Sequence, residues 1–197
     1  MLITDPDITD KDRTVCITGP KPDKLPDNGS RNSQTIKALK SVLYKAISDS
    51  ADEGYNCFVT GFTEGVELWA GEIVLGLRSL NKDIKLIIVS PYAGYVSRFR
   101  NEEKYLAGNI TLQAERIINI SEKYTGGCIR QRNEYMIRLS GKLIAITSDE
   151  KTRKGTAIDY AERSGIVTRI INVRKFEEQL REENARASVQ KYRRLIF

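Results

Sequence analysis

Residues 56–77 read NCFVTGFTEGVELWAGEIVLGL, and this stretch decides the fold. Asn56–Thr60 is a short apolar run bounded by glycine, the pattern of a buried strand. Gly61 to Gly65 form a turn. Val66, Trp69, Ala70, Ile73, Val74 and Leu77 then recur at the i, i+3, i+4, i+7, i+8 and i+11 spacing of an amphipathic helix. A strand feeding a helix through a glycine-rich turn is one βα unit.

Other such units lie outward from it. Further strands are expected at Thr14–Thr18, Lys85–Ser90, Arg116–Ile120, Leu143–Thr147 and Val167–Ile171. Each is mostly apolar rather than alternating, as suits strands covered by helices on both faces. Helices are expected from Ile36 through Leu39, Leu43, Ala46 and Ile47, and around Glu102–Gln113, Gly127–Leu139 and Thr156–Ser164. A polar peripheral helix is expected over Phe176–Tyr192, and Pro20, Pro22, Pro26 and Gly29 mark a long loop after the first strand. The expected class is therefore α/β and Rossmann-like, a largely parallel sheet of about six strands with helices on both faces. Residues 1–13 form an N-terminal extension, 14–173 the domain, and 174–197 a basic C-terminal helix or tail.

Composition narrows the chemistry. The 197 residues contain no histidine, three cysteines and no CxxC, so Ser-His or Cys-His nucleophile arrangements are excluded, and neither a zinc site nor any other metal is expected. Cys16 and Cys57 sit in strand-like runs, where cysteine acts as a small hydrophobe. No cofactor is indicated. No apolar run reaches the ~20 residues of a membrane span, and Met1–Arg13 lacks the apolar core of a signal peptide. The expected location is the cytoplasm of a bacterial cell, or of a phage's host. The net charge is +6, and Arg174–Phe197 carries seven basic and four acidic residues. That balance suits nucleic acid or phosphorylated small ligands.

In an open parallel sheet, ligands bind beyond the carboxyl ends of the strands. Four segments there pair a glycine with a threonine: Thr18-Gly19 with Pro20-Lys21, Thr60-Gly61 through Phe62, Thr63, Glu64 and Gly65, Tyr124-Thr125-Gly126-Gly127, and Lys154-Gly155-Thr156. Helix N-termini present unpaired N–H groups to phosphate, and glycine lets the backbone come close. Glu67, in the first turn of its helix, is either a helix-start charge, a grip on ribose hydroxyls or a general base. Trp69 is on the core stripe, with base stacking as the alternative. Asn133 shares a helix face with Ile129, Met136 and Ile137, so its amide either ties down the neighbouring loop or reaches a ligand. Arg132 beside it is a natural phosphate fork, or else a salt bridge.

These motifs together resemble a known family. Cys16-Ile17-Thr18-Gly19-Pro20-Lys21-Pro22 with Lys24-Leu25 resembles the TGHRP…KL opening of the YpsA/YoqJ-like family of the SLOG superfamily. DprA (Smf) and the LOG phosphoribohydrolases are relatives. Phe58–Gly61 with Gly65-Val66-Glu67-Leu68-Trp69-Ala70 and Glu72, then Pro91, are similar to the family's next elements. Tyr124-Thr125, Cys128, Arg132–Met136, and Gly155-Thr156 with Tyr160-Ala161 match its later blocks. Pro20 stands for the usual histidine, Lys21 for arginine, Lys154 for a glycine and Glu67 for the commoner aspartate. The resemblance implies a Rossmann-like fold that binds a nucleotide or a nucleotide-derived signal, such as an ADP-ribose relative, in a homo-oligomer of two or more copies. The LOG relatives cleave N-glycosidic bonds with a PGGxGTxxE motif, but here Gly155-Thr156 runs into Ala157-Ile158-Asp159. Sensing or sequestration therefore ranks above N-glycoside hydrolysis or transfer with Glu67 or Asp159 as the carboxylate and Arg132 as a further catalytic candidate. Single-stranded DNA binding through Lys21, Lys154 and the tail is a further alternative.

Overall fold

The computed structural model describes residues 9–80, 83–148 and 156–196. Six strands form one sheet: β1 (Thr14–Thr18), β2 (Cys57–Thr60), β3 (Lys85–Ser90), β4 (Arg116–Asn119), β5 (Lys142–Thr147) and β6 (Val167–Asn172). Every pairing is parallel and the order is β4-β3-β2-β1-β5-β6. The helices are α1 (Gln34–Asp52), α2 (Val66–Leu80), α3 (Asn101–Gln113), α4 (Cys128–Arg138), α5 (Ala157–Ser164) and α6 (Val173–Ile196). This is the α/β, Rossmann-like arrangement that the apolar runs imply.

The strands divide their side chains between two cores by their period of two. Val15, Ile17, Phe58, Leu86, Ile88, Ile144 and Ile146 face one side, where they meet α1, α2, α3 and the start of α6. Cys16, Val59, Ile87, Val89, Leu143 and Ala145 face the other, where Met136 and Ile137 of α4 and Ala157 and Ala161 of α5 cover them. The inner strands β1, β2 and β5 and most of β3 are buried along their length. The edge strands β4 and β6 are partly exposed, so there the continuous apolar run does not mean burial on both faces.

Local signals set the ends. Ser33 caps α1, its hydroxyl accepting from the Ile36 N–H, and Thr156 caps α5 by accepting from the Asp159 N–H. Gly165, at φ 66°, closes α5. The proline-rich segment after β1 is not featureless: it makes two 3-10 turns, Pro22–Lys24 and Pro26–Gly29. The C-terminal helix starts earlier than its polar sequence suggests. Val173 is buried in the core and Phe176 packs against it, so α6 begins directly at the end of β6.

The strand order has one functional consequence. From β1 the chain builds outward through β2, β3 and β4, then returns across the sheet to β5 on the other side of β1. The direction of winding therefore reverses between β1 and β5. The helices flanking these two strands diverge there, leaving a crevice beyond their carboxyl ends.

Candidate functional site

A cavity of about 930 Å³ occupies that crevice. Thr18 and Gly19 at the end of β1 form one wall, and Ile146, Thr147 and Ser148 at the end of β5 form the facing one. The remaining walls come from helix starts. Thr63 and Glu67 belong to the start of α2, Ile129, Arg132 and Asn133 to α4, Thr156 to Ile158 to α5, and Val173, Arg174 and Glu177 to α6. Pro20, Lys21, Lys24 and Pro26 overhang from the proline-rich loop, and Tyr95 reaches in from beyond β3.

Beneath the cavity lies a buried ion pair. Glu67 is 1 % exposed and Arg132 6 %. The Glu67 carboxylate accepts from the Thr18 hydroxyl at 2.9 Å and from the Thr63 N–H at 2.9 Å. Arg132 approaches it with Nη1 at 3.4 Å and Nη2 at 3.5 Å. The same guanidinium donates to the Gly61 carbonyl at 2.9 Å, the Thr63 hydroxyl at 2.7 Å and the Asn133 Oδ1 at 2.9 Å. The Thr60 hydroxyl donates to the Glu67 carbonyl, closing the turn from the strand side. The arrangement is a knot of charge-assisted hydrogen bonds that ties β1, the β2–α2 turn and α4 together. It also crowds Cys16, whose thiol is pushed far up first by burial and then by the Glu67 charge.

The turn is shaped to make this possible. Phe62 holds φ 60°, uncommon for a side chain of its size, and is fixed by burial against the edge of Phe99. That conformation turns the Thr63 N–H back towards Glu67. Gly61 has no room for a side chain: a Cβ there would lie 2.7 Å from Glu67 Oε2 and 2.8 Å from Arg132 Cζ. The helix dipole of α2 further favours the negative charge of Glu67 in its first turn.

Of the residues singled out in the sequence, Thr18, Gly19, Pro20, Lys21, Thr63, Glu67, Arg132, Asn133 and Thr156 line the cavity. Gly61, Phe62, Glu64, Gly65 and Tyr124 do not. Gly61 and Phe62 support the turn, and Glu64 points away to accept from the Arg100 N–H at the start of α3. Gly65 backs onto the Pro20 carbonyl. Tyr124 stands outside against Tyr92. Lys154 and Gly155 lie outside the described residues. Arg132 is neither a fork open to solvent nor an exposed salt bridge, because α4 turns it inward onto the β2–α2 turn. Trp69 is core, with the Lys40 ammonium 4.9 Å from its ring centre. Sequence reasoning missed Lys24, Thr147, Ser148, Arg174 and Glu177. Thr147 and Ser148 carried the signal of ending an apolar strand, but only the strand order shows that this strand neighbours β1.

The fold is that of a doubly wound α/β protein with a crevice at the topological switch point between β1 and β5. Residues 15–175 match the family model of the YspA SLOG family, and the chain belongs to that family. A UPF0398 protein of Macrococcus caseolyticus is 28 % identical over 160 residues, covering 77 % of this chain and 86 % of that one. A UPF0398 protein of Halalkalibacterium halodurans is 26 % identical over 141 residues, covering 71 % and 74 %. Among solved structures, DNA processing protein A of Helicobacter pylori, described for its single-stranded DNA binding mode, is similar at a TM-score of 0.45. The identity is 17 %, over 86 % of this chain and 80 % of that one.

Proposed function

We propose that this protein binds a nucleotide or nucleotide-derived phosphorylated ligand in the β1/β5 crevice and holds it without turnover. One observation carries the reading: the starts of α4, α5 and α6 meet in a single cavity whose rim carries the exposed basic residues Lys21, Lys24 and Arg174. Each helix start contributes N–H groups and a partial positive charge, and the lysines and arginine add full ones, so the cavity suits phosphate. Pro20, Ile129, Ile146 and Ile158 supply apolar surface for a base or sugar face, the usual division of labour in a small-molecule site.

Binding ranks above cleavage because of how Glu67 is held. A general base or nucleophile needs a lone pair directed at substrate. The Glu67 oxygens are instead occupied by Thr18, Thr63 and Arg132, and its side chain is 2 % exposed. Arg132 is likewise spent on Gly61, Thr63, Glu67 and Asn133. In this reading the pair shapes the cavity floor, while Lys21, Lys24, Arg174 and the helix starts touch the ligand.

Calorimetry against AMP, ADP, ADP-ribose, NAD and cyclic ADP-ribose isomers tests this. The expected result is binding of at least one with recovery of intact ligand, weakened about tenfold or more by Lys21→Ala or Arg174→Ala. Absence of binding across the panel, or release of free base by wild type, contradicts it.

A further inference from the structure

Four aromatic rings and an arginine run from the cavity wall to the surface. Phe99 also backs Phe62 in the β2–α2 turn, but Tyr92, Tyr95, Tyr124 and Arg98 take no part in the Glu67–Arg132 knot. Tyr95 lines the cavity and meets Tyr92 edge to face, with centroids 5.3 Å apart. Phe99 backs Tyr95 from the other side at 5.4 Å. Tyr92 in turn meets Tyr124 at 5.8 Å and 83°. The guanidinium of Arg98 stands 5.8 Å from the ring centres of both Tyr92 and Tyr124. Tyr92 and Tyr95 are buried, but Tyr124 is 59 % exposed.

Two features distinguish this cluster from ordinary packing. It is rigidly built: the Ala93 N–H donates to the Ser121 carbonyl, and the Ser121 hydroxyl bonds the Pro91 and Lys123 carbonyls, locking the loops after β3 and β4 together. It is also incomplete. The Tyr92 hydroxyl is buried and finds no hydrogen-bond partner among the described residues, a cost that proteins rarely leave unmet. A large tyrosine left open beside an arginine, on a fixed support continuous with a ligand cavity, has the make-up of a stacking platform for a planar base.

We propose that Tyr124, with Arg98, forms a second base-stacking subsite, so that the ligand of the crevice carries two bases, as a dinucleotide does, rather than one. This rests on the nucleotide reading of the cavity. A cavity of about 930 Å³ is near the upper end for small-molecule sites, roughly 300–1,000 Å³, leaving room for a nucleotide and a linking group that reaches Tyr95. The buried Tyr92 ring touches both Tyr95, which lines the cavity, and Tyr124, which stands outside it, so the two rings are one aromatic neighbour apart. Arg98 adds a positive charge for the linking phosphate and a flat cation beside the base.

The test compares ADP-ribose with diadenosine diphosphate, which differ by one adenine, by calorimetry on the full chain. Diadenosine diphosphate should bind wild type roughly tenfold more tightly than ADP-ribose, as stacking of one base implies. Tyr124→Ala should abolish that difference while leaving ADP-ribose affinity unchanged, and Tyr124→Phe should keep it. Tyr124 is exposed, so the variants should melt at the wild-type temperature. Equal affinities in wild type, or a preference that survives Tyr124→Ala, overturns the second subsite but leaves the nucleotide reading standing. Failure of both ligands, together with failure of the mononucleotides, overturns both.

Discussion

Replacing Arg132 by methionine should be among the most damaging single changes available in this protein. Methionine keeps much of the volume and removes the charge. It leaves the Glu67 carboxylate, whose side chain is 2 % exposed, with only the Thr18 hydroxyl and the Thr63 N–H. It also strips the Gly61 carbonyl and the Asn133 Oδ1 of donors at 2.9 Å. Removing one partner of a buried pair costs about 3–5 kcal/mol, because the other charge stays buried and uncompensated. A domain of this kind has only about 5–15 kcal/mol in total. At this length that corresponds to a fall in Tm of roughly 6–20 °C. Trp69, the single tryptophan, lies two residues beyond Glu67 and is buried, so urea unfolding followed by its fluorescence reads the change directly. The double variant Arg132→Met with Glu67→Gln removes the orphaned charge and should recover at least ~1 kcal/mol of the loss. A cost below ~1 kcal/mol for Arg132→Met, the value of an exposed pair, would refute the knot as described.

Three further outcomes follow from the same geometry. Gly19→Ala would place a Cβ 2.5 Å from Val66 Cγ1 and should destabilise by about 1–3 kcal/mol in the same urea assay, whereas Gly76→Ala, with open space around it, should be neutral or stabilising. Cys16, Cys57 and Cys128 are all buried, and burial also pushes the Cys16 and Cys57 thiols up, so a thiol reagent at pH 8 should modify them only as fast as the protein opens, and at once in urea. Asp49 is held below the usual carboxylate range by hydrogen bonds from Lys45 and then Arg169. Its depressed folded value means that its contribution is present above the unfolded carboxyl pKa of about 3.9 and is lost as pH falls through the folded one. Asp49→Asn should therefore be less stable than wild type at pH 6, with the gap closing in strong acid.

The elements were legible in the sequence because each strand is a compact apolar run and α1 and α2 carry clean helical stripes. What the sequence withheld is what depends on strand order. Nothing local in Leu143–Thr147 says that this strand pairs with Thr14–Thr18, so the facing wall of the cavity, Thr147 and Ser148, went unseen. The Glu67–Arg132 pair spans 65 residues of chain and becomes a pair only when α4 crosses to the opposite face from α2 and its start reaches the same strand ends. A charged residue read alone suggests a solvated surface, so burial of Arg132 was equally invisible. Arg174 and Glu177 read in the sequence as part of the basic tail, because the polar sequence of α6 hides the two apolar side chains, Val173 and Phe176, that dock its first turn. The glycine-threonine turns that the structure describes do fall at the edge of the sheet where the cavity lies. They located the floor and one wall of the cavity, and the chain's topology supplied the rest.

If the β1/β5 crevice holds a phosphorylated nucleotide, as proposed, amide NMR of the protein titrated with ADP-ribose reports where the ligand binds as well as whether it does. Saturable shifts are expected in the N–H groups of Gly19, Lys21, Ile129, Ala157, Ile158 and Arg174, with the amino-edge residues Lys142 and Tyr55 unmoved. Saturable shifts confined to the sheet's amino edge or to α3, or no shifts at millimolar ligand, would contradict the proposal.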